Sequence, residues 1–521
     1  MVENGPPRRS GGRRERQRIR AANPEGSTPP IRPGMSGGQF NPLSNADVLK
    51  INDAAMEVLE TIGIGEVPDL VMTQALARGA RKNDQGRLLF PRPLIEDIIA
   101  TAGRNFVLHG RVPKYDLELN GTNVHFGTGG AAVQVLDPDQ HSYRASTLVD
   151  LYDFARLVDL LENVHWFTRC VVATDVTNEF DLDVNTAFAC LAGTEKHIGT
   201  SFVHGHHVRP IVEMFDAVLG EEGGFRKRPF CKVHISPVIS PLRYGEDAVG
   251  VMLAAIEEGM PINCIIAAQS GATAPAPLAG MLIQTVAETL AGLILVNLFA
   301  PGYPVVFSNW PFVVDLRTGA FACGGAEIAL LNAASAQMSN FYDLPSGVAA
   351  GMADSKLPDA QAGYEKAVSA VTAGLSGANM IYEAAGMYAS LLGCSFEGFV
   401  LDNEILGTAL RVVRGIEVNS ETTDLDVIRD VVAGAGHFLG ENQTLAAMQR
   451  DYYYPSLADR TSPEVWDSSG GFDALARCRF RSRELLAGHY PNYIPRKVEQ
   501  RIRAKYNILL PEDTMKSGER W

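Results

Sequence analysis

From about residue 123, short runs of apolar and often β-branched residues alternate with longer stretches whose apolar positions recur at helical spacing. The short runs cover 124–127, 164–172, 197–203, 232–236, 262–267, 304–308, 347–350 and 380–383, and they predict strands. Between them, 148–161, 210–219, 244–258, 278–299, 325–340 and 359–373 predict helices. Eight strand–helix units, repeating every roughly 30–40 residues, suit a (β/α)8 TIM barrel. Parallel neighbours with right-handed crossovers favour such a closure. The competing arrangement is an open, doubly wound sheet. Its usual mark, a GxGxxG turn between the first strand and helix, is missing, and Gly127, Gly129 and Gly130 do not have that spacing.

The flanks read differently. Residues 44–62 and 67–77 have helical spacing, 91–100 opens a third short helix with PRP, and 106–123 reads as extended segments with turns. The eighth strand leads into an amphipathic helix over 403–418. The last hundred residues are helical with aromatic clusters, as in DYYYPSLADR and HYPNYIPRKVEQRIRAKY, and suggest a cap on the barrel or on another subunit. Four parts result: an Arg/Gly/Pro-rich flexible tail over 1–35, an N-terminal helical and extended segment over 36–120, the barrel over 121–420, and a C-terminal helical cap over 421–521.

Composition narrows the function. The chain has 521 residues, 46% hydrophobic and 20% charged, ample for one large domain with extensions. Its net charge is −14, but 1–35 holds eight arginines against three glutamates, leaving the rest at −19. So acidic a body weighs against nucleic acid as a partner. No apolar run reaches the roughly 18 uninterrupted residues of a membrane span. The best candidate, 281–300, is broken by Gln284, Thr285, Glu288, Thr289 and Asn297, and reads as a buried helix. No secretory h-region follows the start, and none of the seven cysteines forms a CxxC pair, which fits a reduced cytoplasm.

Several segments carry a resemblance. The tail RRSGGRRERQR, the stretch LPSGVAAGMADSKLPDAQAGYEKA, NMIYEAAGM, EGFVLDNEIL and YYYPSLADR resemble the trimethylamine methyltransferase family, which includes glycine betaine and related quaternary-amine methyltransferases. The most specific pieces are GMADSKLPDAQ at 351–361 and GFVLDNEIL at 398–406. The resemblance implies a (β/α)8 barrel that passes a methyl group from a small amine to the Co(I) corrinoid of a separate protein. It implies no cofactor tightly bound in this chain, and a homo-oligomer. The archaeal trimethylamine enzymes carry pyrrolysine near a strand end. Only standard residues occur here, and the corresponding position falls near 351–361. A quaternary ammonium leaves as a neutral tertiary amine and needs no activation. A neutral tertiary amine would leave as an amide anion. The non-pyrrolysine branch therefore points to betaine, carnitine or choline-like cations, with orientation and desolvation as the barrel's task and no catalytic acid or base.

Active sites of such barrels lie at the C-terminal ends of the strands. His204 and His206 follow the third strand in SFVHGHHVRP. With no cysteine or carboxylate at a companion spacing, no metal site is expected, and contact with a substrate carboxylate or the corrinoid is favoured over metal. His234 ends the fourth strand facing the barrel interior, either as a satisfied core histidine or as a substrate contact. Gln269 precedes a Gly- and Pro-rich loop after the fifth strand. Asn309, Trp310 and Phe312 end the sixth, where an aromatic face would receive a quaternary ammonium, or simply cover the barrel. Asp354 follows the seventh strand and could hold a cation or cap the next helix. Glu383, in the apolar run MIYEAAGM, is too costly to bury without an ionic partner or a ligand. Two other functions stay open from the residues: a metal-dependent barrel lyase or hydrolase, and a non-catalytic betaine-binding protein.

Overall fold

The computed structural model describes residues 29–518 and 520–521, so most of the 1–35 tail lies outside the described residues. Eight parallel strands form the centre: β1 (Asn123–Phe126), β2 (Trp166–Thr168), β3 (His197–Thr200), β4 (Cys231–Ile235), β5 (Ile262–Ile266), β6 (Val305–Asn309), β7 (Ser346–Ala349) and β8 (Met380–Tyr382). Neighbours in sequence are neighbours in the sheet, and β8 pairs in parallel with β1. The ring closes between β1 and β2 through a parallel bridge, Gly127 to Trp166, and the bond from His165 N–H to Phe126 O at 2.7 Å. This is a (β/α)8 barrel, and the open-sheet alternative is excluded by that closure. A short strand, Met35–Ser36, pairs antiparallel with the outer edge of β1.

Each strand is followed by a helix: α1 (Leu148–Leu160), α2 (Glu179–Gly193), α3 (Val208–Leu219), α4 (Glu246–Glu258), α5 (Leu278–Phe299), α6 (Ala326–Phe341), α7 (Ala360–Leu375) and α8 (Phe396–Arg414). Four of their starts carry side-chain caps. Thr147 and Asp150 form a reciprocal capping box on α1, and Asn178, Asp359 and Ser395 cap α2, α7 and α8. By length and composition α5 could cross a membrane, yet 78% of its most apolar window is buried, so it serves as a barrel helix.

The barrel interior is a packed core. Lys232 and His234 of β4 alternate inward, while Val233 and Ile235 point toward the helices. Trp166 fills the space beside Tyr382, with ring centroids 5.2 Å apart. Gly127 has to be glycine there, because a Cβ would collide with the indole. The seven cysteines are all free and buried.

The N-terminal segment wraps one side with helices Asn45–Glu57, Asp69–Ala77 and Arg92–Thr101. At the other end of the chain, Ala474–Gly488 and Arg496–Lys505 pack on the barrel. Arg156, fully buried on α1, donates to the carbonyls of Leu486 and His489. Trp521 Nε1 donates to Asp153 at 3.0 Å. The intervening helices Leu425–Ala433, Asn442–Arg450 and Pro463–Ser468 bury only Val431 among them.

Candidate functional site

The sequence places charge at the carboxyl end of the barrel, and the backbone turns it inward. Along β8, Met380 and Tyr382 share one face, so simple alternation would send Glu383 to the other. Instead Glu383 has φ +62°, in the left-handed region that non-glycine residues seldom occupy. The strand stops there and its carboxylate turns over the loop after β1. A Cβ on Gly129 would lie 2.9 Å from Glu383 Oε1, and one on Gly130 would lie 2.7 Å from Oε2. The glycine pair in TGG is what admits the carboxylate. Glu383 is 1% exposed, and its Oε2 has no partner among the described residues. Burial pushes its pKa up to about 8, against the opposing pull of Arg169 and Lys366.

Aromatic rings surround this end of the barrel. Trp310 lies 5.1 Å from Tyr382 between centroids, and His234 lies 5.0 Å from Tyr382 and 6.1 Å from Trp310. The Trp310 backbone N–H is tied to Ile266 O at 2.8 Å, whereas its indole Nε1 is buried without a partner among the described residues. Both side-chain polar atoms of Asn309 are likewise buried and unpartnered. Beneath them, His234 Nε2 meets Asn263 at 3.2 Å and Thr168 at 3.4 Å. Lys232 donates to Thr168 Oγ1 at 3.2 Å and stands over the Trp166 and Tyr382 rings, 5.4 Å from each centroid. Burial brings the Lys232 pKa down to about 7 and holds His234 well below the usual histidine value. Burial thus keeps this histidine neutral.

Arg169, the first residue past β2, adds a cation. Among the described residues its Nη1 is buried without a partner and no carboxylate lies within ion-pair distance of it. It borders a cavity of about 190 Å³ lined also by Leu182, Asp183, Thr186, Ser201 and Phe202. Unsatisfied buried polar atoms are rare in folded proteins and call for an explanation. Four such residues, Arg169, Asn309, Trp310 and Glu383, sit at or just past the carboxyl ends of three barrel strands.

The other residues singled out from sequence go elsewhere. His204 and His206 stack at 5.4 Å on a 3-10 turn, Gly205–His207, packed against α4; His204 meets Glu179 at 3.0 Å. The strand has ended by then, so neither ring is directed along β3. Asp354 accepts from the N–H groups of Cys323 and Gly324 and the Ser390 hydroxyl, at 2.8, 3.1 and 2.8 Å, and from the Cys323 thiol at 3.6 Å. It staples the loops after β6, β7 and β8, while Asp359 itself caps α7. Phe312 packs on Phe321 at 5.0 Å within a hairpin, and Gln269 pairs with it through a short parallel strand. Among the described residues no group of three His, Cys, Asp or Glu side chains is placed to hold a metal ion.

Tyr382 and Arg169 were not singled out from sequence. Arg169 is the only charged residue between 166 and 172, the same signal that marks Glu383 in its own strand. Tyr382 carries no such mark, because an aromatic residue on a strand is ordinary core.

Fold and site together define a barrel protein with a buried carboxylate, an aromatic wall and a lone guanidinium at its catalytic end. The family model for trimethylamine methyltransferase (MTTB) matches residues 9–507. The chain belongs to this methyltransferase family. It is 31% identical over 463 residues to trimethylamine methyltransferase MttB of Desulfitobacterium hafniense, covering 89% of this chain and 92% of that one. It is 30% identical over 481 residues to glycine betaine methyltransferase of the same species, covering 92% and 98%. To MttB of Methanosarcina thermophila it is 32% identical, covering 87% and 94%. Among solved structures, the Methanosarcina barkeri monomethylamine methyltransferase aligns over 87% of this chain and 96% of its own, at 15% identity and a TM-score of 0.43.

Proposed function

We propose that this protein demethylates a quaternary amine of the glycine betaine kind and passes the methyl group to the Co(I) corrinoid of a separate protein. The observation that carries the reading is the Glu383 carboxyl group, buried at the carboxyl end of the barrel with no partner for Oε2 among the described residues. A permanent cation would supply that partner, and Trp310 and Tyr382 offer ring faces to an ammonium that has no N–H to donate. Glycine betaine methyltransferase among the relatives supports the same class of substrate.

The chemistry asks little of the protein. A methyl carbon–nitrogen bond breaks, the electron pair stays on nitrogen, and a neutral tertiary amine leaves. No proton is supplied, which suits a site whose histidine is held neutral. The corrinoid supplies the nucleophile that takes the methyl group. The chain's own residues would orient the ammonium and keep water out.

A partner has to approach the carboxyl end of the barrel for this transfer. Val133, Ile239, Leu316, Leu357 and Leu392 are exposed apolar residues, and each lies on a loop that follows a barrel strand. Apolar exposure gathered at one end of a barrel supports protein docking there. The test is incubation with a reduced corrinoid protein and a panel of methylated amines, following the demethylated product by mass spectrometry. Demethylation of a quaternary amine is expected; binding of such amines with no demethylation by any corrinoid partner would instead make this a betaine-binding protein.

A further inference from the structure

Arg169 is a partly buried cation whose Nη1 is sealed from solvent. Its Nη1 has no hydrogen-bond acceptor and its guanidinium makes no ion pair among the described residues. Removing a guanidinium from water is expensive unless an acceptor replaces the lost solvent. Two carboxylates stand near enough to influence it, Asp183 and Glu383, yet neither comes within ion-pair distance. Asp183 is committed elsewhere: its Oδ2 accepts from His207 Nδ1 at 2.7 Å and from Val203 N–H at 2.8 Å. Glu383 is held over Gly129 and Gly130, in the loop after β1. The space beside Arg169 is a cavity of about 190 Å³ whose wall includes Thr186, Ser201 and Phe202.

Resting on the function proposed above, we infer that Arg169 is the receptor for a carboxylate on the substrate, so that the site selects zwitterionic quaternary amines. The ligand's cationic end meets Glu383, Trp310 and Tyr382, and its anionic end meets the guanidinium. Such a ligand answers both unpaired groups at once. A simple cation such as choline satisfies Glu383 alone and leaves the Arg169 Nη1 without an acceptor. Arginine suits this task because its planar fork matches a carboxylate with two parallel hydrogen bonds.

The test is calorimetry on the full chain with two probes, glycine betaine and choline, which share a trimethylammonium head and differ in the carboxylate. The wild-type protein is expected to bind glycine betaine at least about tenfold more tightly than choline. Arg169→Gln is expected to weaken glycine betaine by about tenfold to a hundredfold while leaving choline unchanged within about twofold. Arg169→Lys, which keeps the charge but loses the fork, should fall between and guards against a folding defect, checked by its melting temperature. Choline bound as tightly as glycine betaine, or both weakened equally by Arg169→Gln, would overturn the carboxylate receptor and leave the quaternary-amine reading standing. Failure of every quaternary amine to bind the wild-type protein would remove both.

Discussion

At the scale of single residues, one carboxyl group controls the account. Glu383 is held near a pKa of about 8 by burial, with Arg169 and Lys366 opposing. Below that pH the empty site is neutral at Glu383, and a bound ammonium has to draw the proton off. Affinity for a quaternary amine should therefore rise with pH, by up to about tenfold per unit below 8, and level off above it. Lys232, which loses its charge near 7, acts in the same direction. Titrations of the wild-type protein and Glu383→Gln from pH 6 to 9 separate the two, because the variant keeps only the lysine part. The stability sign is opposite. A carboxyl group with a raised folded-state pKa favours folding below its unfolded value and loses that advantage as pH rises toward 8. Glu383→Gln should thus raise the melting temperature more at pH 8 than at pH 5.

The aromatic wall makes a second prediction at this scale. Trp310→Ala should weaken binding of a quaternary amine by roughly five- to thirtyfold, the range expected of a desolvated cation–π contact. Unchanged affinity with a lowered melting temperature would make the indole a mere cover for the barrel. Glu383 and Trp310 could be read from sequence because a charge in an apolar strand and a rare indole at a strand end are both unusual. The histidines of SFVHGHHVRP looked equally unusual. Their fate depended on where β3 stops, and a strand ending at Thr200 sets them on a turn against α4. Nothing local announces that stop.

At the scale of elements, the alternation of short and long apolar runs placed most of the barrel, and a helix buried on nearly every face was still read where its apolar run is long. The helix expected over 278–299 is α5, with the same bounds. The eight strand positions also held, although 164–172 shrinks to Trp166–Thr168. Helix α2 was not singled out, and its packing explains why. It is covered by α1 on one side and by the C-terminal segment on another, with Asn185 bonded to the backbone of Asn507 and Leu509. A helix buried on several sides shows no single apolar stripe. The loops that build the site depend on a different device. Lys366 of α7 reaches Asp402 of α8 at 3.0 Å and Gly351 O at 2.8 Å, and Asp402 also accepts from Gly386 N–H at 2.7 Å. This buried pair joins two helices to the loops after β7 and β8. Lys366→Met strands the Asp402 charge, and should cost about 3–5 kcal/mol of stability in denaturant titration. Methionine preserves the side chain's bulk, so a loss below about 1 kcal/mol would show that the pair does not hold the loops.

At the scale of the whole molecule, the C-terminal segment belongs to the barrel's stability. Arg156, Tyr152, Asp153 and Asp159 all find partners in it: Leu486 and His489, Pro491, Arg520 and Trp521, and Tyr493. Truncation before Ala474 would strip these partners from α1, leaving Arg156 only Asp153 and uncovering a buried guanidinium. The shortened chain should fail to fold, or melt far below the full one, by calorimetry. A truncated chain melting within a few degrees of the intact protein would refute that dependence. The sequence's aromatic spacing announced a cap, but not that it would satisfy a buried arginine on α1, because such pairings join residues more than three hundred positions apart. Closure of the barrel was expected from the eightfold repeat, but not the contact that accompanies it, Gly127 beside the Trp166 ring, which no local pattern marks.

The most direct test is methyl transfer to a reduced corrinoid protein, followed by absorbance as the Co(I) form is consumed, with glycine betaine and trimethylamine compared as donors. The account predicts transfer from glycine betaine, little or none from trimethylamine, and sharply reduced transfer in Glu383→Gln and Trp310→Ala. Faster transfer from trimethylamine than from every quaternary amine tried would contradict it.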